Sequence, residues 1–419
     1  MKKNYLLLVP VLLLSTYNAH PHTAPVNLFI PYDAVARPEN RGVPGFQFHV
    51  YGQTELSHAR GYNRKGNHVN PLQIYSKNQN ALAMLEGFDA QSDIGQLRNL
   101  LGAVDDGVRG HFIITGDLHN RFSTAFSARY SQCGLWSIGA YLPVYSYELE
   151  NVVFQDQTKS LTDDDLRVKQ LLTNNIQEIT QTLGNGLSLE GWKRTGTGDL
   201  ALFIELYKEF IQPRPFLTQV DIAIESGLIL PTGKHEDPDL PFAFPFGSNG
   251  AFAIPLRLGL NLHLGYYLEA GVDVELTHTF SHTSEHRIKT AQTQTNLLLL
   301  QKQVTYTDYG LTQRFDLYTK FHQFLGGLSV LFGYQFIKHG EDEMFLKTNK
   351  FSSTITNTSQ TLQDWTMHHV LIKGTYDFKV HMPCDSYIDP QLSLFFRLPF
   401  NGKRIAVNPT IGLSFALNF

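Results

Sequence analysis

The chain has little with which to cross-link itself and little with which to cross a membrane as a helix. It contains two cysteines in 419 residues, Cys133 and Cys384. At most one disulfide can form, which excludes a disulfide-stapled secreted scaffold. After the first 19 residues no apolar run approaches the roughly 20 residues that a transmembrane helix requires. An excess of either charge is missing too, with 34 Lys and Arg against 38 Asp and Glu, a net −4. That near balance argues against nucleic acid as a partner, and no cofactor is expected.

What the chain has in quantity is aromatic residues, 29 Phe and 19 Tyr, together with 33 Gly. At the start, Lys2 and Lys3 precede the apolar run Tyr5 to Leu14, and "STYNA" ends on the small residue Ala19. This is the layout of a secretory signal peptide over residues 1–19, so the remainder is expected to be exported. At the other end "IGLSFALNF" alternates Ile411, Leu413, Phe415, Leu417 and Phe419 with small or polar residues. A period of two describes a strand with one apolar face.

The same alternation recurs along the chain. It runs through Phe46 to Val50, Phe112 to Tyr130, Trp136 to Val144, Leu200 to Phe210, Val220 to Leu230 and Phe252 to Leu262. It returns in Tyr266 to Leu276, Leu311 to Phe321, Leu328 to Phe336, Val370 to Phe378, Leu392 to Leu398 and Val407 to Phe419. Most of these strands reach the 9 to 11 residues of a tilted membrane strand. A soluble sandwich would use strands of about 5 or 6 residues. Short connections at "SQCG", "IQPRP", "HLG", "LGG" and "KVHMPCDS" alternate with long polar ones at 58–110, 151–196, 231–249, 279–310 and 340–364. The expected fold is therefore all-β, a transmembrane antiparallel up-and-down barrel of about 12 strands (range 12–14). Residues 20–44 form a periplasmic or lumenal segment ahead of the barrel, 45–419.

The apolar stripes of "NQNALAMLEGF" and "DIGQLRNLLGAV" predict helices in the loop 58–110. They either fold inward over the lumen or pack against other loops. A further loop helix is predicted over 162–183, capped by Thr162 or Asp163.

The leader, the meander and the terminal Leu413, Phe415, Leu417 and Phe419 resemble Gram-negative outer-membrane β-barrels. The resemblance implies an outer-membrane location with lipid around the barrel. It also implies that the terminal aromatic is read by the barrel assembly machinery. "TGTGDLALF" (195–203) and "GLILPTG" (227–233) resemble segments of porin-like proteins for uptake of aromatic or hydrocarbon compounds, relatives of the long-chain fatty-acid transporter. "PFGSNGAF" is similar to the His-x-Ser-Asn-Gly stretch of the outer-membrane phospholipase, but Phe246 stands where the histidine belongs. Ser248 thus lacks a base to take its proton, and an enzyme is not expected.

On the face opposite the apolar rows, strands four to seven carry Glu205, Asp221, Glu225 and Asp273 among other acids, with Arg257 as their one base. Strand two and strands eight to eleven carry Arg121, Arg129, Arg314, Lys320, Lys373 and Arg397. These eleven residues are the expected pore lining, an acidic wall facing a basic one. Either a field crosses a water-filled pore or cross-strand ion pairs fill the barrel. A 12-strand barrel of about 24 Å backbone diameter would leave a bore of roughly 10 Å. His278, His282 and His286, four residues apart, would share one face of a helix and form a candidate metal site. The expected function is a channel or transporter for small solutes, the alternative a non-conducting barrel whose loops bind a host or partner. The solute and the oligomeric state stay open.

Overall fold

The computed structural model describes residues 44–132, 135–382 and 388–419. The expected leader, nearly all of segment 20–44, and both cysteines lie outside the described residues.

Twelve strands close into one antiparallel barrel. They are β1 (Gly45–Glu55), β2 (His111–Gln132), β3 (Trp136–Asp156), β4 (Leu200–Ile211), β5 (Leu217–Leu230) and β6 (Ala253–Leu264). The remaining six are β7 (Leu268–Thr279), β8 (Thr312–Leu325), β9 (Leu328–His339), β10 (Trp365–Asp377), β11 (Asp389–Lys403) and β12 (Thr410–Asn418). Each pairs with its sequence neighbour, and β12 returns to β1 with Gln47 opposite Asn418 and Glu55 opposite Thr410. The last residue completes the seam: the Phe46 amide donates to the Phe419 carbonyl at 2.7 Å, and the Phe419 amide donates back at 2.9 Å. No strand of the barrel keeps a free edge, so every backbone donor at membrane depth has a ladder in which to be satisfied.

The alternation sorts side chains as expected. Phe48, Phe126, Ile204, Ile224, Leu258, Leu317, Phe332, Leu394 and Phe415 are exposed on the outside. So contiguous an apolar belt belongs in lipid rather than water. Near the termini it ends in a girdle where Phe419 stacks on Phe48 at 5.7 Å and Phe46 meets Tyr130 at 4.8 Å. Among the described residues no helix is long and apolar enough to cross a membrane.

One expected row breaks in two. Phe112, Ile114 and Leu118 are buried inside, whereas Phe122 and Phe126 on the same strand are exposed. The cause is a bulge in β2: the register against β3 shifts between Asn120 and Phe122. An extra residue reverses which parity faces inward.

The long loops gather at the end away from the termini into a dome. Ala81, Leu82, Met84 and Leu85 pack with Leu101, Leu172, Ile176, Leu187, Phe244, Phe246 and Leu298 onto Leu118, Tyr145, Tyr147 and Leu149 of the upper barrel. The loop 58–110 therefore packs against other loops and the upper barrel, the second of the two alternatives expected for it. Its first predicted helix is only a turn, Ala83–Leu85. The second is α1 (Asp93–Leu101), which Ser92 caps by accepting from the Gly95 amide at 3.1 Å. Residues 162–183 fold as α2 (Asp163–Leu171) and α3 (Ile176–Leu183). Thr162 is the cap, in a reciprocal box with Asp165.

Candidate functional site

Pairing in the barrel places the inward charges side by side. Glu205 lies opposite Glu225, Glu225 opposite Arg257, Arg257 opposite Glu275, and Glu275 opposite Arg314. These five residues form a belt across β4 to β8. Arg257 donates to Glu225 Oε2 at 2.8 Å and to Asp273 Oδ1 at 3.1 Å, and lies 3.9 Å from Glu205. From β2, Arg129 donates to Glu205 Oε2 at 2.6 Å, and Arg314 pairs with Asp316 at 2.7 Å. The acidic and basic residues interleave and touch rather than facing each other across water.

Glu205, Asp221, Glu225, Arg257, Asp273, Arg129, Arg314, Lys320 and Lys373 all project inward and are buried. Arg397 is half-buried, its guanidinium 5.8 Å from the centre of the Phe395 ring. Arg121 is a correction. It sits at the β2 bulge on the outer face, paired with Glu148 at 2.7 Å and Glu150 at 2.6 Å, because the extra residue turns it away from the lumen.

Of the two alternatives for the lumen, the structure has the barrel filled by cross-strand ion pairs, and uncharged side chains add to the filling. Beside the charges, Tyr51, Tyr141, Tyr318, Leu331, Leu371 and Phe395 form an inner aromatic and aliphatic cluster, each under 9% exposed. Tyr51 and Tyr141 share a hydroxyl hydrogen bond, and Tyr318 donates to Asn261. Glycines on neighbouring strands make the room. A Cβ at Gly271 would meet the Tyr318 hydroxyl at 2.3 Å, and one at Gly412 would meet the Phe395 ring at 2.2 Å. Sequence reasoning passed over these residues because the signal lies in a glycine on one strand facing an aromatic on the next.

Space returns above the belt. A cavity of about 90 Å³ opens beneath the dome, lined among others by Gln53, Asn120, Tyr145, Tyr147, His369 and Arg397. Ala406, Val407 and Asn408 line it too, and the loop 231–252 packs beside it with its Phe244 and Phe246 rings against Tyr147. Arg194 holds that loop by donating to the carbonyls of Ala243 at 3.0 Å, Phe244 at 2.5 Å and His235, while lying 5.3 Å over the Phe246 ring.

The expected histidine cluster does not assemble. His278 is on the outer face of β7 beside Phe280. His282 and His286 lie on a short loop strand, His282–Ile288, instead of a helix, and His286 bonds to Glu236 and Ser284. Ser248 donates to Asp199 Oδ2 at 2.5 Å and accepts the role of a turn residue there. The terminal Leu413, Phe415 and Phe419 are exposed on the outside of the seam, with Leu417 half-buried beside them.

No protein-family model matches the sequence, and no curated protein matches it. Among solved structures, an outer membrane channel from Pseudomonas putida F1 is similar at 12% identity and TM-score 0.47, over 91% of this chain and 99% of that one. The P. putida toluene transporter is similar at 10% identity and TM-score 0.33, over 91% and 92% of the two chains. The β domain of a Bordetella autotransporter reaches the same TM-score, 0.33, at 9% identity over 90% and 100%. With TM-scores under 0.5 these likenesses assign the chain neither a family nor a solute.

Proposed function

We propose that the protein is an outer-membrane channel for small solutes whose lumen is constricted by its own side chains. The observation that carries this reading is the cavity beneath the dome. It is lined by inward positions of β1, β2, β3, β10, β11 and β12 and by Ala406, Val407 and Asn408. Its aromatic faces at Tyr145 and Tyr147 stand beside hydrogen-bonding groups at Gln53, Asn120, His369 and Arg397. Such a mixed lining suits a small solute with an apolar body and a polar end. Below it the charged belt narrows the way, so passage requires the inner side chains to move. The carboxylates on β4 to β7 outnumber Arg257 there, which favours cations over anions among charged permeants.

The buried belt and the dome equally suit the second reading, a non-conducting barrel that presents its loops to a partner. Flux through protein-containing liposomes separates the two. The channel admits small solutes at a rate that rises with protein content; the surface barrel leaves the vesicles as tight as lipid alone.

A further inference from the structure

At the barrel end that carries the termini, three neighbouring strands bring two imidazoles and a carboxylate together. His263 on β6 stands directly opposite Glu269 on β7. His322 on β8 bonds its amide to the Tyr267 carbonyl at 2.8 Å, which sets its ring beside theirs. One ligand atom from each of His263, Glu269 and His322 lies within 4.8 Å of the other two. His263 Nε2 is 2.7 Å from Asp221 Oδ2, and His322 Nε2 is 2.9 Å from Glu269 Oε2. The two rings stack with centres 6.3 Å apart. Gln219 donates to Asp221 at 2.7 Å and fixes that carboxylate.

Burial divides the group in a useful way. The Asp221 and Glu269 side chains are 4% and 11% exposed, the imidazoles 28% and 29%. The carboxylates are the buried partners, and the rings hydrogen-bonded to them are the part of the group that solvent reaches. Each imidazole now shares a proton with a carboxylate, in the position a metal ion would take. In a tetrahedral site with bonds of 2.0 to 2.1 Å, donor atoms stand about 3.4 Å apart. An ion drawing the donors to that spacing would exchange the two imidazole–carboxylate hydrogen bonds for bonds to metal. Glu209, opposite Asp221, adds a carboxylate at the rim. Lys320, opposite Glu269, is the base that faces the group.

We propose that His263, Glu269 and His322 bind a divalent transition-metal ion of the Zn²⁺ class at this mouth of the lumen, with Asp221 beside His263. Two neutral imidazoles with carboxylates are the donors that such ions select, whereas Ca²⁺ and Mg²⁺ require a shell of oxygens. Metal binding asks only for a folded barrel, so it stands apart from whether solute passes.

The test is titration of the untagged, folded protein in detergent with Co²⁺, followed by Zn²⁺. The expected result is one equivalent of Co²⁺ with the visible absorption of four- or five-coordinate metal, bleached by Zn²⁺ and untouched by Ca²⁺. Protons should be released on binding, since the ring nitrogens must be free of them. The pair His263→Ala with His322→Ala should lose the absorption, and Glu269→Gln should weaken binding at least tenfold. Heat-modifiable gel mobility checks that each variant is closed, and His322→Gln alone serves if the pair does not close. Absence of binding to the native protein would overturn the proposal. So would unchanged binding in the closed variants, which would place the metal on other residues such as His235, His282 and His286.

Discussion

The molecule has two interiors of opposite chemistry. The dome is a hydrophobic core of the ordinary kind, with Leu85, Leu172, Phe246 and Leu298 excluded from solvent. The lumen below it is held largely by charge, with Arg257 shared among Glu205, Glu225 and Asp273. Lipid explains the difference. Barrel strands turn their apolar rows outward, so inward positions hold the charged residues, with a smaller apolar cluster around Tyr141 and Phe395. Polar residues removed from water must then find one another. The loops stand in water and bury apolar surface as a small soluble domain does. Register does in the barrel what the hydrophobic effect does in the dome.

The sharpest way to break this contrast is at Arg257. Replacing it with Met removes the cation shared by three buried carboxylates, and breaking a buried ion cluster from one side costs about 3 to 5 kcal/mol. The effect should appear as a lower midpoint in urea unfolding of the whole barrel. A midpoint equal to that of the native protein would mean that the belt is solvated.

In the dome, Leu298→Ala should cost about 2 to 5 kcal/mol of local stability through the cavity it leaves. Hydrogen exchange should quicken in the loops at 58–110 and 231–252 while amides of β8 to β10 hold their protection. Equal loosening of loops and barrel would show that the two interiors unfold as one.

The smallest effect is a pH dependence in the dome. The Arg109 guanidinium, 2.7 Å from Asp165, holds that carboxyl down at about 2 from its ordinary 3.8. A depressed acid contributes stability that is complete above its unfolded value and is lost as pH falls through the folded one. Pepsin should therefore nick the α2 segment faster at pH 2 than at pH 4, once its rates on an unfolded substrate are allowed for. In Arg109→Met that difference should shrink, and an undiminished difference would remove Asp165 as the cause.

Much of this architecture was legible because lipid imposes a strict period of two. All twelve strands follow from it, and so do the side on which each long loop falls and the inward direction of ten of the eleven expected charges. What escaped depends on neighbours that sequence order does not join. The β2 bulge adds one residue without interrupting the alternation, so counting by twos places Arg121 on the wrong face. Bore width was read from strand number, whereas Gly271 and Gly412 let Tyr318 and Phe395 fill it. His263, Glu269 and His322 are ordinary in their own strands and meet only through register across β6, β7 and β8. His278, His282 and His286 have the spacing that invites attention, but no helix forms there: His278 ends up on the outer face of β7, and His282 and His286 on a separate loop strand.

Single-channel conductance in planar bilayers, comparing the native protein with Tyr141→Ala combined with Phe395→Ala, tests the constricted-lumen channel most directly. Both side chains are buried in the inner cluster, and removing them widens the way past the charged belt. The account predicts a small native conductance and a clearly larger one in a variant that still closes into a heat-modifiable barrel. Equal conductance in the two, or no conductance in either, would contradict a solute path through the lumen.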